Sequence, residues 1–142
     1  MARVKIVLPQ QFNFSTFIPV RITDINYGGH VGNDTVLSII HEARVQYLKR
    51  HGYDELNLDG VGIIMSDAAI EFKAELFYGD IIEAYVAASD FTGVAFTLFY
   101  KLQKDINTQK VTVAIAKTGM ICFDYNRKKI VPVPAKIKLV LK

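Results

Sequence analysis

The sequence predicts an α+β fold in which a curved antiparallel sheet of about five strands wraps around one long apolar helix. Two observations carry this expectation. A single segment, Thr35 to Arg50, has helical hydrophobic spacing, and the segments after it read as strands in series. No crossover helices are then left to build a parallel sheet, and a helix this apolar must be covered by something. A sheet of that length can curl around it.

In chain order, Met1 to Gln11 lacks the long apolar core and small-residue cleavage site of a signal peptide, and reads as a first edge strand over Val4–Leu8. Phe12 to Ile22 alternates loosely and is rich in β-formers, predicting a strand that ends near Arg21. Asp24-Ile25-Asn26-Tyr27-Gly28-Gly29-His30 reads as a loop by its Asn and paired glycines. In the helix, Val36, Ile40, Ala43 and Tyr47 form one stripe, which Leu37 and Leu48 widen. Asn33 or Asp34 can cap its start, Gly52 can close its end, and Lys49 and Arg50 suit the negative end of its dipole.

The later strands are Ile63–Leu76, Ile81–Ser89, Val94–Gln103 and Val111–Phe123, with a short tail after Pro132. Turn chemistry separates them at Tyr78-Gly79-Asp80, Thr92-Gly93 and Lys104-Asp105-Ile106-Asn107. In the first of these strands Ala68, Ile70, Phe72, Ala74 and Leu76 share the face toward the helix. Asp67, Glu71, Lys73 and Glu75 share the other, which ordinarily means solvent.

Composition bounds the function. The 142 residues, 51% apolar and 22% charged, suit one globular domain spanning residues 1–142. No apolar run approaches the ~20 residues of a membrane span. The net charge of +3 is spread out apart from Arg127-Lys128-Lys129, which is too mild for DNA or RNA but tolerates a phosphate-bearing small ligand. The single Cys122 has no internal disulfide partner and reads as a small buried hydrophobe, so a reducing, cytoplasmic setting is expected. His30, His41 and His51 have no metal-ligand spacing, and neither a G-x-S-x-G elbow nor a glycine-rich phosphate loop is present.

The strongest chemical feature is Asp24-Ile25-Asn26-Tyr27-Gly28-Gly29-His30-Val31-Gly32-Asn33 running into the helix. It puts a carboxylate, a carboxamide and an imidazole at a helix N-terminus, whose unpaired amides and positive partial charge can hold an anion or a developing oxyanion. The plainer reading is a helix cap, with His30 merely satisfying the loop.

The passage resembles the signature of the 4-hydroxybenzoyl-CoA thioesterase group of the hot-dog superfamily, approximately D-x-D-x-x-G-H-V-x-N followed by a helix containing E-A-R-x-x-Y-L. Gly29-His30-Val31-Gly32-Asn33 matches the second half of the signature, and Glu42-Ala43-Arg44-Val45-Gln46-Tyr47-Leu48 matches the helix. Ile70 to Asp80 resembles the family's second strand and its G-D turn, and the similarity runs in order from about Phe17 to Pro134. The resemblance implies a hot-dog fold and a thioesterase acting on acyl-CoA or acyl carrier protein, with no metal or redox cofactor. It further implies a homodimer or homotetramer with the acyl site between subunits. The edge-pairing strand is expected to be Val94–Gln103. Substrate would meet Gly29, Val31 and the amide of Asn33.

The chain departs from the family where Asn26 stands at the second Asp of D-x-D, the usual catalytic carboxylate. A carboxamide is neither a useful base nor a good nucleophile. Three groups could supply the function. Asp24 is nearest, although its family counterpart is usually structural. His30 titrates in a suitable range. Glu75 matches a carboxylate in plant acyl-carrier-protein thioesterases, whose E-Y-R-R-E-C strand resembles Glu71 to Leu76, and which also carry a loop His corresponding to His30. The expected catalytic set is Glu75 and His30 with Asn26 in support and Asp24 in reserve. Two other readings stand beside it: a hot-dog domain that binds acyl thioesters without cleaving them, which Asn26 favours, and a hot-dog dehydratase or hydratase pairing His30 with Glu75.

Overall fold

The computed structural model describes residues 3–141. Strands β1 (Ser15–Pro19), β2 (Gly62–Phe72), β3 (Ile81–Ser89), β4 (Ala95–Ile106), β5 (Gln109–Asp124) and β6 (Lys129–Ile130) form one sheet. All neighbours are antiparallel, in the order β1-β3-β4-β5-β2, with β6 pairing β5. The long helix α1 (Asn33–Arg50) packs on the inner face, and a short helix α2 (Ala135–Val140) follows β6. This is the hot-dog architecture expected from the sequence.

Alternation places the core. Ile82, Ala84 and Val86 of β3, Phe96, Leu98 and Leu102 of β4, and Ala114, Ala116 and Met120 of β5 are buried with Val36, Ile40, Ala43, Tyr47 and Leu48 of α1. Leu37, expected to widen the helix stripe, is 40% exposed, because that stripe is completed by Ile39 instead. The helix start also differs from expectation. Neither Asn33 nor Asp34 caps it; the extended Gly32 is the N-cap, and its carbonyl takes the amides of Thr35 and Val36 at 3.1 and 3.3 Å. At the other end Gly52, with φ +85°, turns the chain so that its amide meets the Lys49 carbonyl and that of Tyr53 meets Leu48, both at 2.9 Å. That geometry requires a residue at ease in left-handed backbone.

Among the described residues two cations, both with partners, lie inside the structure. Arg44 of α1 is 6% exposed and donates to the Tyr100 hydroxyl at 3.2 Å, which in turn bonds Thr118 at 2.8 Å. Its Nε stands 3.6 Å from Glu55. Lys104 of β4 is 7% exposed and is paired with Asp80.

Several sequence expectations are corrected. Val4–Leu8 is not a strand. The Ile6 amide donates to the Glu71 carboxylate at 2.6 Å, and Ile6 packs with Phe99 and Ile115 on the sheet's outer face, so the segment crosses the sheet rather than extending it. The first strand is shorter than expected, ending at Pro19. The β2 register shifts at Ser66, and the strand ends at Phe72 rather than Leu76. Ile70 faces the helix as expected, whereas Ala68 and Phe72 are exposed. After Pro132 comes helix α2, in which Ile137 is fully buried, rather than a plain tail.

The strand expected to pair between subunits, Val94–Gln103, falls in β4. That strand is bonded along its length to β3 and β5 and offers no free edge. The open edges are β1, which is short and ends in a proline, and the eleven-residue β2.

Ile40 sits under the middle of the sheet at 1% exposure. Its replacement by alanine should lower unfolding free energy by roughly 2–5 kcal/mol. Leu37→Ala, on the exposed side, should stay within about 0.5 kcal/mol of wild type. Denaturant midpoints measure both, and equal costs would contradict the helix orientation.

Candidate active site at the start of the long helix

The loop before α1 is held closed by its own polar groups. A 3-10 turn, Ile22–Asp24, precedes an isolated bridge between Ile25 and Val31. Within the bridge the Asn26 amide donates to the His30 carbonyl at 3.0 Å, and the Gly29 amide to the Asn26 carbonyl at 3.1 Å. The Asn26 side-chain oxygen accepts the Gly28 amide at 2.9 Å. A Cβ at Gly28 would stand 3.2 Å from Asn26 Oδ1, a tight approach, and 3.4 Å from His30 Nε2. The carboxamide and the imidazole therefore flank the same glycine.

A second segment comes to meet this loop. After Phe72 the chain leaves the sheet, with the amides of Lys73 and Ala74 both directed at the Val113 carbonyl, at 2.8 and 3.1 Å. The Val31 amide then donates to the Leu76 carbonyl at 2.9 Å. Glu75 accordingly lies on a loop beside the helix start, not on the outward face it would share with Glu71 in a longer strand.

Between the two segments lies a cleft of about 270 Å3 lined by His30, Val31, Asn33, Val36, Phe72, Lys73, Ala74, Glu75, Leu76 and Val113. Of the candidate residues, His30, Val31, Asn33 and Glu75 are thus brought together. Asn26 stands behind His30 across Gly28, and Gly29 serves the loop turn. The first-turn amides of Asn33 and Asp34 have no acceptor within the helix and carry its positive partial charge. Phe72 and Lys73 also line the cleft and were not anticipated, because a strand continued to Leu76 would turn Lys73 away.

Asp24 is separate. It is 6% exposed and borders a different groove, of about 220 Å3, with Arg21, Glu42 and Gln46. Burial pushes its pKa up, but hydrogen bonds from the Arg21 amide at 2.8 Å and guanidinium at 3.1 Å, with the attraction of that charge, outweigh burial and hold the carboxyl below its usual range. A carboxylate so committed is a weak base. The Cys122 thiol is fully buried, and burial pushes its pKa up to about 11, so it is no nucleophile at neutral pH.

Comparison with known proteins gives the family and the fold. The family model of the thioesterase-like superfamily matches residues 20–141. The 1,4-dihydroxy-2-naphthoyl-CoA hydrolase of Microcystis aeruginosa is 30% identical over 122 residues, covering 84% of this chain and 86% of that protein. A structure of 4-hydroxybenzoyl-CoA thioesterase, an Asp-to-Asn variant in complex with 4-hydroxybenzoyl-CoA, is 14% identical and superimposes with a TM-score of 0.82 over 91% of this chain and 98% of the other. A protein of unassigned function from Aquifex aeolicus is 25% identical, with a TM-score of 0.79 over 91% and 99% of the two chains. The chain belongs to the thioesterase-like superfamily.

Because Arg21 holds the folded-state pKa of Asp24 below its unfolded value, the pair stabilises the fold at neutral pH, and that stability is lost as pH falls below the ordinary aspartate value of about 4. Asp24→Asn should therefore lower the urea midpoint at pH 7, with the gap to wild type narrowing toward pH 3. A gap that is the same at both pH values would show that the charge contributes nothing.

Proposed function

We propose that this member of the thioesterase-like superfamily hydrolyses the CoA thioester of a compact acyl group in the cleft at the start of α1. The observation that carries the reading is the convergence of His30, Glu75 and the first-turn amides of α1 on that one cleft. In this reading the acyl group lies against Val31, Val36, Phe72, Leu76 and Val113, and its carbonyl oxygen faces the amides of Asn33 and Asp34. Glu75 takes a proton from water as the water oxygen attacks the carbonyl carbon. The amides hold the resulting oxyanion, which collapses to expel the CoA thiolate, and the imidazole of His30 orients the water or protonates the leaving sulfur. Asn26 supports His30 from behind Gly28. CoA is preferred to a carrier protein because the similar proteins whose names state a substrate act on CoA thioesters. A volume of about 270 Å3 suits a small or aryl acyl group better than a long chain. The buried free thiol of Cys122 supports a cytoplasmic setting.

A second reading has one observation in its favour. Asn26 stands where the family signature carries its catalytic carboxylate, which suits a domain that binds acyl-CoA without cleaving it. Free-thiol release from a panel of aryl, short-chain and long-chain acyl-CoAs decides between the two. Glu75→Gln should lower kcat by about 100-fold and His30→Ala by a comparable factor, while Asn26→Asp should retain or raise turnover. Release of thiol by Asn26→Asp alone, with wild type binding but inert, would establish the binding module. Undiminished kcat in both Glu75→Gln and His30→Ala would remove them from the mechanism.

The same reading includes a homodimer joined along β2, whose long free edge exposes Met65, Ser66, Asp67 and Ala68. Unpaired amides and carbonyls along such an edge are satisfied when an equivalent strand of a second copy pairs with them. Light scattering at micromolar concentration should give a dimer for wild type and a shift toward monomer for Ala68→Lys. A monomeric wild type would refute the assembly.

A further inference from the structure

We propose that Lys104 is a positioning residue that sets the aim of Glu75, an inference that rests on the reading of Glu75 as the base. Nothing among the described residues holds the Glu75 carboxylate itself, so its direction is set by its backbone. That backbone is gripped from two sides. The Lys104 ammonium donates to the Glu75 carbonyl at 2.7 Å, and the next carbonyl, of Leu76, takes the Val31 amide at 2.9 Å. Lys104 also bonds Asp80 Oδ2 at 3.0 Å, and the same oxygen takes the Phe77 amide at 2.9 Å. The Asp80 amide returns to the Phe77 carbonyl at 3.1 Å, closing the turn, and the Asp80 carbonyl takes the Val20 amide at 2.9 Å. The ammonium lies 5.1 Å from the centre of the Phe77 ring, which covers it. One buried cation thus ties strand β4 to the loop that carries Glu75.

Burying an ammonium is costly even when it is paired, and an unbranched apolar side chain would fill the same space without that cost. What the charge adds is direction: it fixes one carbonyl and one carboxylate of a loop that has left the sheet and has no ladder to define it. A base displaced by about 1 Å loses much of its effect, by factors that reach 10².

The test measures kcat and KM with the acyl-CoA that wild type turns over fastest, in Lys104→Met, Lys104→Arg, Asp80→Asn, Glu75→Gln and the double variant Lys104→Met with Glu75→Gln. Lys104→Met should lower kcat by about tenfold or more, with KM little changed, and Lys104→Arg should recover part of the loss. The double variant should be no slower than Glu75→Gln alone, since there is no longer a base to aim. Asp80→Asn keeps the size of the side chain and should give a smaller loss of the same kind, which serves if Lys104→Met does not fold. Additive losses in the double variant, or a lowered denaturant midpoint with kcat unchanged, would overturn the positioning role while leaving Glu75 as base. Glu75→Gln with full kcat would instead remove the base, and the positioning role with it.

Discussion

The Val31 amide donates to the Leu76 carbonyl at 2.9 Å, and the site depends on that bond because it joins two segments that the sheet does not pair. On one side lies the loop that starts α1, on the other the chain that has just left β2. Strand pairing positions most residues of this protein, but neither segment has a strand neighbour to define it. The bond ties the start of the helix directly to the loop carrying Glu75, which Val113 and Lys104 hold from the sheet side. With it, the positive end of α1, the imidazole of His30 and Glu75 line one cleft.

The sheet supplies the rigid frame for that junction. The inner residues of β3, β4 and β5 cover α1 along its length, so the helix start is fixed relative to Val113, whose carbonyl receives the chain as it leaves β2. The buried cations divide the remaining work. Arg44 spans from helix to sheet through Tyr100 and Thr118, anchoring the helix middle. Lys104 reaches from β4 to the loop beyond β2. Each replaces apolar packing with directed bonds, which lowers the stability available from burial and raises the specificity of the arrangement.

The helix and the four long strands were legible because their periods are strong and their turns carry Gly, Asn and Asp. What escaped the sequence had physical reasons. Ala74 and Leu76 continue the alternation of β2, so nothing in the pattern marks the exit at Phe72; the marker is a backbone geometry at Val113, far away in sequence. The apolar run at the N-terminus looks like a strand, but the Ile6 amide bonds the Glu71 side chain instead of a backbone partner. That β4 is central follows from the strand order, which local pattern does not encode. Helix α2 carries a faint signal, with Pro134 before it and Ile137 and Leu141 one turn apart. At the site, His30 and Asn33 were legible from the loop itself, whereas Glu75 came through resemblance and Lys73 and Lys104 gave no signal.

The neutral Asn26 also fits the electrostatics of the cleft. Its side-chain oxygen is spent on the Gly28 amide, a bond that a carboxylate would make more strongly. An aspartate there would thus be held ionised, close to the same helix start. With a carboxamide in its place, the loop keeps its shape without adding a charge. Glu75 becomes the one carboxylate lining the cleft among the described residues. The one carboxylate at the cleft therefore lies on the loop held by Lys104 and Val31, not at position 26.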